Sequence, residues 1–192
     1  MKKVFFTALA LVAFNFSNAQ DISFGAKAGL NLSNVTGDVE GTSMKTGFQI
    51  GGFAEIAISD EFSIQPELVY STQGAKEEEE FFGVTYEGSL NLSYINVPVM
   101  AKYYITEGLS LEAGPQIGFL VSAEYEAEGE TSDVKEFYNS TDFGFNIGAG
   151  YNVTENINAS LRYTAGMSNI LKDSDDYKAA NSNIAIALAY KF

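Results

Sequence analysis

Six charged residues interrupt segments that otherwise alternate apolar side chains with small or uncharged ones: Lys27, Glu55, Glu67, Lys102, Glu112 and Arg162. Each lies on the polar side of its segment, about three to five residues from the same end of that segment. Opposite charges held at one level can neutralise one another at a lower cost than isolated buried charges. We therefore predict a structural network of interior salt bridges, with a proton or ion relay as the functional alternative.

Acidic residues are also concentrated in three polar stretches. These stretches contain Glu77–Glu80, then Glu124, Glu126, Glu128, Glu130, Asp133 and Glu136, and finally Asp173, Asp175 and Asp176. Carboxylates are ligands that Ca²⁺ and Mg²⁺ prefer, but none of the stretches has the spacing of an EF-hand loop. Because runs of like charge usually remain solvated, we predict no specific metal site and no cofactor. Divalent-cation binding by these carboxylates is the alternative.

The sequence contains no histidine and no cysteine. Without them it cannot form a Ser–His–Asp triad, a thiolate nucleophile, a disulfide bond or a thiolate metal site. A Ser–Lys or a carboxylate-pair mechanism is the remaining alternative, but nothing in the sequence places a serine beside a lysine at a site open to substrate. We therefore predict no enzymatic activity and no catalytic residue. The 25 acidic residues against 11 basic ones also disfavour binding to nucleic acid.

The N-terminus predicts export from the cytoplasm. Lys2 and Lys3 precede an apolar run over residues 4–16, and Ser17-Asn18-Ala19 supplies small residues at both recognition positions of a signal-peptidase site. This order is typical of a secretory signal peptide. We predict cleavage after Ala19, which makes residues 1–19 the signal peptide and residues 20–192 one mature domain. Beyond residue 19, no stretch approaches the roughly 20 apolar residues that a membrane-spanning helix needs.

Eight segments with a two-residue period follow the signal peptide, at residues 22–32, 47–58, 62–73, 89–105, 109–123, 142–153, 157–167 and 184–192. The last segment carries Ile184, Ile186, Leu188, Tyr190 and Phe192 on one face and Ala185, Ala187, Ala189 and Lys191 on the other. Bulky apolar side chains outward, with small or charged ones inward, are typical of a barrel in lipid. We predict an all-β, eight-stranded, antiparallel, up-and-down transmembrane β-barrel.

The connections between the segments alternate in length. Short turns at residues 59–61, 106–108 and 154–156 alternate with longer stretches at roughly 33–46, 74–88, 124–141 and 168–182. Outer-membrane barrels have short periplasmic turns and longer outer loops. We therefore predict long acidic outer loops and two periplasmic termini.

Two further features concern the strands themselves. A change of phase near Tyr94 and Ile95 predicts a β-bulge in the fourth strand. Pro66, Pro98 and Pro115 all fall inside predicted strands, although proline cannot donate a hydrogen bond to the neighbouring strand. We expect each proline at a bulge or at an unpaired rim position.

Several motifs carry a family resemblance. They are Gln65–Ser71, Tyr94–Tyr103, Gly114–Phe119, Asp142–Tyr151, Arg162-Tyr163, Ser168-Asn169-Ile170 and the terminal Phe192. In these residues the chain resembles the outer-membrane β-barrel domain family, also described as porin-family or PorT-like small outer-membrane proteins, over essentially the whole mature chain. The resemblance implies an integral protein of the Gram-negative outer membrane and places the prolines at positions typical of the family. The motifs are architectural and do not imply pore activity.

These observations favour a non-enzymatic barrel with a structural or surface-interaction role through its outer loops. Its partners would be outer-membrane lipid and lipopolysaccharide, a protein partner at the loops and, during biogenesis, the barrel-assembly machinery. We interpret Leu188, Tyr190 and Phe192 as the C-terminal assembly signal. A narrow cation-favouring channel is the main alternative, and a component of an envelope secretion or assembly machine is another.

Overall fold

A computed structural model describes residues 22–39, 41–81, 84–174 and 177–192. Nine strands run in chain order: β1 (Ile22–Gly37), β2 (Thr42–Ser59), β3 (Phe62–Phe81), β4 (Val84–Tyr104), β5 (Leu109–Ala127), β6 (Glu130–Asp133), β7 (Thr141–Asn152), β8 (Ile157–Gly166) and β9 (Ala179–Lys191). A single turn of 3₁₀-helix spans Lys135–Phe137. In the described part of the chain, no helix is long and apolar enough to cross a membrane. The predicted signal peptide lies outside the described residues.

Eight of the strands close into a ring. Each long strand pairs antiparallel with its neighbour in the chain, and β5 continues directly to β7 in this order. Pairing between β1 and β9, from Gly25 opposite Lys191 to Gly37 opposite Ala179, completes the circle. Strand β6 pairs with the far end of β5 and forms no part of the ring. The predicted eight-stranded antiparallel barrel is confirmed.

The barrel carries its apolar side chains on the outside. In β9, Ile186, Leu188 and Tyr190 are 60%, 61% and 52% exposed, whereas Ala185 and Ala187 are buried. The other strands of the ring also expose large apolar residues, among them Phe24, Leu68, Ile147 and Leu161. A closed ring satisfies the backbone polar groups of its strands internally, so such a surface suits a lipid environment.

The strands continue well beyond the predicted ends. Strands β3 and β4 remain paired up to Phe81 opposite Val84, so most of the predicted loop at 74–88 is a long hairpin. Most of the predicted loop at 33–46 is likewise strand, in β1 and β2. The connection predicted at 124–141 contains the β5–β6 hairpin and the 3₁₀ turn.

The outward-apolar pattern does not predict these strand extensions, because their apolar residues face the lumen instead of the outside. The register of β4 against β5 shifts between Ser93 and Tyr94 because Val121 of β5 has no residue opposite it, so the bulge lies in β5 and its predicted place in the fourth strand is wrong. Past the bulge on the loop side, Leu90 and Leu92 are buried inside, whereas Ile95 is 40% exposed on the outside. A strand segment that projects beyond the lipid has water outside and so turns its apolar side inward.

The expected positions of the three prolines are wrong. Pro66, Pro98 and Pro115 lie in mid-strand, away from the register shifts and from the rims. Each proline keeps a partner in one neighbouring strand. Within these described strands, the pairing with the other neighbour skips residues 65–66 of β3, 97–98 of β4 and 114–115 of β5. A missing N–H costs little where the pairing is already interrupted.

Candidate functional site

The six charged residues predicted to share one level meet in the lumen as one chain of ion pairs, in the order Lys27, Glu67, Arg162, Glu112, Lys102, Glu55. Glu67 is its best-connected member: its carboxylate accepts from Lys27 Nζ at 2.9 Å and from Arg162 Nη2 and Nη1 at 2.9 and 3.1 Å. Arg162 Nη2 also donates to Glu112 at 2.9 Å. All six residues are buried.

Strand register explains why these side chains meet. Glu112 lies directly opposite Lys102, and Gly148 lies between Glu112 and Arg162 in the same row. Directly opposed residues point to the same side of a sheet. A β-carbon on Gly148 would lie 2.5 Å from the Leu161 carbonyl oxygen and 3.3 Å from Arg162 Cβ. Glycine at this position therefore leaves space for the Arg162 side chain to reach Glu112.

The other end of the chain of ion pairs is closed by hydrogen bonds. Lys102 Nζ lies 3.4 Å from Glu55 and donates to Gln65 Oε1 at 3.1 Å. The Tyr104 hydroxyl donates to Glu55, and the partly exposed Lys191 ammonium lies 3.5 Å from the same carboxylate. The six buried members, three acidic and three basic, thus carry no net charge among themselves, which keeps their burial cost low.

A layer of uncharged polar side chains fills the lumen next to this network. Asn31 Nδ2 donates to Ser71 Oγ at 2.9 Å, and its Oδ1 accepts from Asn183 at 3.3 Å. Thr164 Oγ1 donates to Asn146 Oδ1 at 2.6 Å. A cavity of about 20 Å³ remains among these residues, which is room for about one water molecule.

Apolar side chains close the loop end of the lumen. The buried members of this apolar cluster are Val35, Ala75, Leu90, Leu92, Tyr94, Leu120, Ala123, Ile170 and Ala179. The segment after β6 crosses the segment after β8, with Tyr138 bridged to Leu171 and Asn139 N donating to Ile170 O at 2.8 Å. Burial, with a smaller effect of Glu77, raises the pKa of the Tyr138 hydroxyl. The crossed segments thus pack onto the cluster.

Polar anchors to which the sequence analysis assigned no role hold these segments in place. Asp142 accepts from Ser168 Oγ and from Asn181 Nδ2, both at 2.8 Å. Asn181 also donates to the Tyr94 hydroxyl at 3.2 Å. The Asn169 side chain accepts from Ala179 N at 3.0 Å and donates to two carbonyls of its own loop. The sequence feature that could have indicated these contacts is the Ser168-Asn169-Ile170 motif, in which the apolar Ile170 stands within a polar stretch.

Beyond the cluster, the hairpins carry the acidic stretches. Glu124 lies opposite Asp133 in the β5–β6 hairpin, and both are exposed. The Tyr125 hydroxyl donates to Glu77 at 2.8 Å, which ties this hairpin to β3. Among the described residues, no group of three or more acidic side chains is placed to hold a metal ion. Asp175 and Asp176 lie outside the described residues.

At the opposite end of the barrel lie the start of β1, the end of β9 and the short turns between strands. An open vestibule of about 660 Å³ is lined by Glu55, Ser63, Tyr104 and Lys191, together with residues of the turns. It adjoins a second cavity of about 20 Å³ beside the ion pairs. At the rim, Phe192 N donates to Phe24 O at 2.9 Å, and the Phe192 and Tyr190 rings lie 5.9 Å apart. Leu188, Tyr190 and Phe192 all face outward here.

Comparisons with known proteins agree with this architecture. A family model described as outer membrane protein beta-barrel domain matches residues 17–172. No curated protein matches the chain. Neisserial surface protein A has a similar structure, with a TM-score of 0.60 and 15% identity, covering 90% of this chain and 99% of that protein. Ail, the attachment invasion locus protein of Yersinia pestis, has a TM-score of 0.51 and 16% identity, covering 88% and 98%. These likenesses show the fold.

Proposed function

Because this chain belongs to the outer membrane protein beta-barrel domain family, and so resides in the outer membrane of a Gram-negative bacterium, we propose that it is a closed, non-enzymatic barrel acting at the cell surface through its acidic hairpins. The vestibule and both termini would face the periplasm, and the apolar cluster and the hairpins would face outward. Lipid and lipopolysaccharide surround the barrel, and a cationic protein or surface is the proposed partner of the hairpins.

The observation that carries this proposal is the filling of the lumen at three successive levels. Ion pairs, uncharged polar side chains and the apolar cluster follow one another from the vestibule outward. An eight-stranded barrel is just wide enough for side chains to fill. A cation channel would have to displace the Arg162 and Glu67 pair and also open the apolar cluster, so the packing favours a closed barrel over the channel alternative.

The hairpins have the rigidity that a binding surface needs. Pairing between β3 and β4 continues to their tip, and the apolar cluster packs against the base of this hairpin through Ala75, Leu90 and Leu92. Strand β6 adds a second supported hairpin beside them. Carboxylates on such a frame attract cationic groups without reorganising the backbone. One structure shows Ail in complex with a heparin analogue, sucrose octasulfate; an anionic ligand of that kind does not suit the acidic hairpins of this chain.

Charge neutralisation tests the proposal. The outer variant combines Glu124→Gln, Glu126→Gln, Glu130→Gln and Asp133→Asn. A matched control combines Asp60→Asn, Glu61→Gln, Glu107→Gln and Glu155→Gln in the opposite turns. Cells displaying each protein are tested for adhesion to a surface coated with a cationic peptide, after heat-modifiable gel migration confirms that each barrel is folded.

We expect several-fold weaker adhesion for the outer variant and unchanged adhesion for the control, because only the outer carboxylates reach the external surface. Equal adhesion of wild type, outer variant and control would overturn the proposal. Adhesion that disappears on chelation of divalent cations, whichever carboxylates are present, would indicate divalent-bridged lipopolysaccharide instead of a direct cationic contact.

A further inference from the structure

The cavity in the uncharged polar layer, which we call the chamber, is enclosed on both sides. The ion pairs of Glu67 and Arg162 lie on its vestibule side, and the apolar cluster closes the loop end of the lumen beyond it. Its volume is about 20 Å³, and a water molecule needs about 10–15 Å³ measured in this way. Ten of its lining residues are polar: Gln49, Glu67, Ser71, Gln73, Asn96, Gln116, Asn146, Arg162, Thr164 and Asn183.

Two buried polar atoms on residues that line the chamber have no hydrogen-bond partner among the described residues. One is Arg162 Nε, a donor, and the other is Asn183 Oδ1, an acceptor. Arg162 and Asn183 are 7% and 5% exposed, so bulk water does not reach them freely. Leaving a buried donor or acceptor unsatisfied costs its full desolvation free energy. A small molecule that accepts one hydrogen bond and donates another would satisfy both atoms.

The charge balance decides the chemical class of that molecule. Arg162 already shares its terminal nitrogens with Glu67 and Glu112. Since the six buried charges balance one another, an added anion or cation would be left unpaired in the lumen. A neutral ligand of water size accepts from Arg162 Nε and donates to Asn183 Oδ1 without adding charge.

We propose that the chamber is a binding site for ordered water, held between Arg162 Nε and Asn183 Oδ1. The water completes the hydrogen bonding of the arginine and links the ion pairs to the uncharged polar layer. This site does not depend on the proposed surface function, because it concerns only the sealed interior.

The sequence offers an unusually clean probe, since Arg162 is its one arginine. Protein labelled with ¹⁵N-arginine and folded in detergent micelles therefore gives a single Nε–H signal, which needs no assignment. We expect a cross-peak from this proton to water, with opposite signs in the NOE and ROE spectra, as a long-lived bound water produces. A missing water cross-peak would overturn the proposal. So would equal signs in the two spectra, because those indicate exchange with bulk solvent.

Two substitutions at one position locate the water. Asn183→Leu removes the acceptor and fills space, so the water cross-peak should disappear. Asn183→Ser retains an uncharged acceptor and should preserve it. Asn158→Leu, at the vestibule side of the ion pairs, serves as control and should leave the peak unchanged. Persistence of the peak in a folded Asn183→Leu barrel would refute the assignment to Asn183. If that variant does not fold, the wild-type spectra alone decide whether water is bound.

Discussion

Neutralising Glu67 is the perturbation that most directly tests the interior network. Among the described residues, Lys27 has an ion pair with Glu67 alone, and Arg162 divides its bonds between Glu67 and Glu112. In Glu67→Gln, Lys27 therefore keeps its buried charge but loses its partner. Glu112→Gln is milder, because Arg162 retains two bonds to Glu67 and Lys102 retains Glu55.

The expected magnitudes follow from these partners. Removing one member of a buried ion pair typically costs about 3–5 kcal/mol, which is the loss we expect for Glu67→Gln. Glu112→Gln should cost about 1–3 kcal/mol, the range for losing a hydrogen bond to a charged group. The double variant Lys27→Met/Glu67→Gln should recover part of the loss, since it also removes the unpaired charge. Glu107→Gln, in an exposed turn, should change stability by less than about 0.5 kcal/mol.

The free energy of unfolding can be measured by urea titration in phospholipid vesicles, with the folded fraction determined from heat-modifiable gel migration. We expect Glu67→Gln to be the most destabilised variant, Glu112→Gln the next and Glu107→Gln the least. A Glu67→Gln barrel as stable as the Glu107→Gln control would refute this order. So would a Glu112→Gln loss equal to or larger than that of Glu67→Gln.

Three further predictions concern the ends of the chain and of the barrel. Ile170→Ala should destabilise the barrel by about 2–5 kcal/mol through the loss of packing in the apolar cluster, and it should speed tryptic cleavage at the nearby Lys172. The control Phe137→Ala, at an exposed position, should do neither. Equal cleavage rates in the two variants would contradict the packing role of Ile170. Deletion of Phe192 should lower the folded fraction recovered from outer membranes, whereas Phe192→Tyr should not, and normal recovery of the deletion would refute an assembly signal. Mass spectrometry of the purified mature protein should show cleavage after Ala19, and a retained N-terminal segment would contradict the predicted signal peptide.

The barrel itself could be predicted from the sequence because lipid imposes a simple rule on each strand. The alternation from Ile184 to Phe192 assigns one face to lipid and one to the lumen, and the same rule places Lys27, Glu67 and Arg162 inside. Their meeting at one level required the strand register, which alternation alone does not supply. The structure brings all six predicted charges together, while the role of the network stays a prediction.

The outer part was harder to predict because the surrounding solvent changes there. Beyond Ser93, Leu92 and Leu90 point inward, so one continuous strand carries two opposite patterns. Ile170 joins the apolar cluster through the crossing of two irregular segments, and nothing local in the sequence specifies such a crossing. The expected positions of the prolines are wrong for a related reason, since an interruption of pairing in mid-strand depends on the partner strand.

The measurement that most directly tests the account of a closed barrel is single-channel recording of the purified wild-type protein in planar bilayers, using a sample whose heat-modifiable migration shows it to be folded. The account predicts no discrete conductance at moderate voltage, because ion pairs, polar side chains and the apolar cluster fill the lumen in series. Stable, cation-selective conductance steps from the folded barrel would contradict it and would favour the channel.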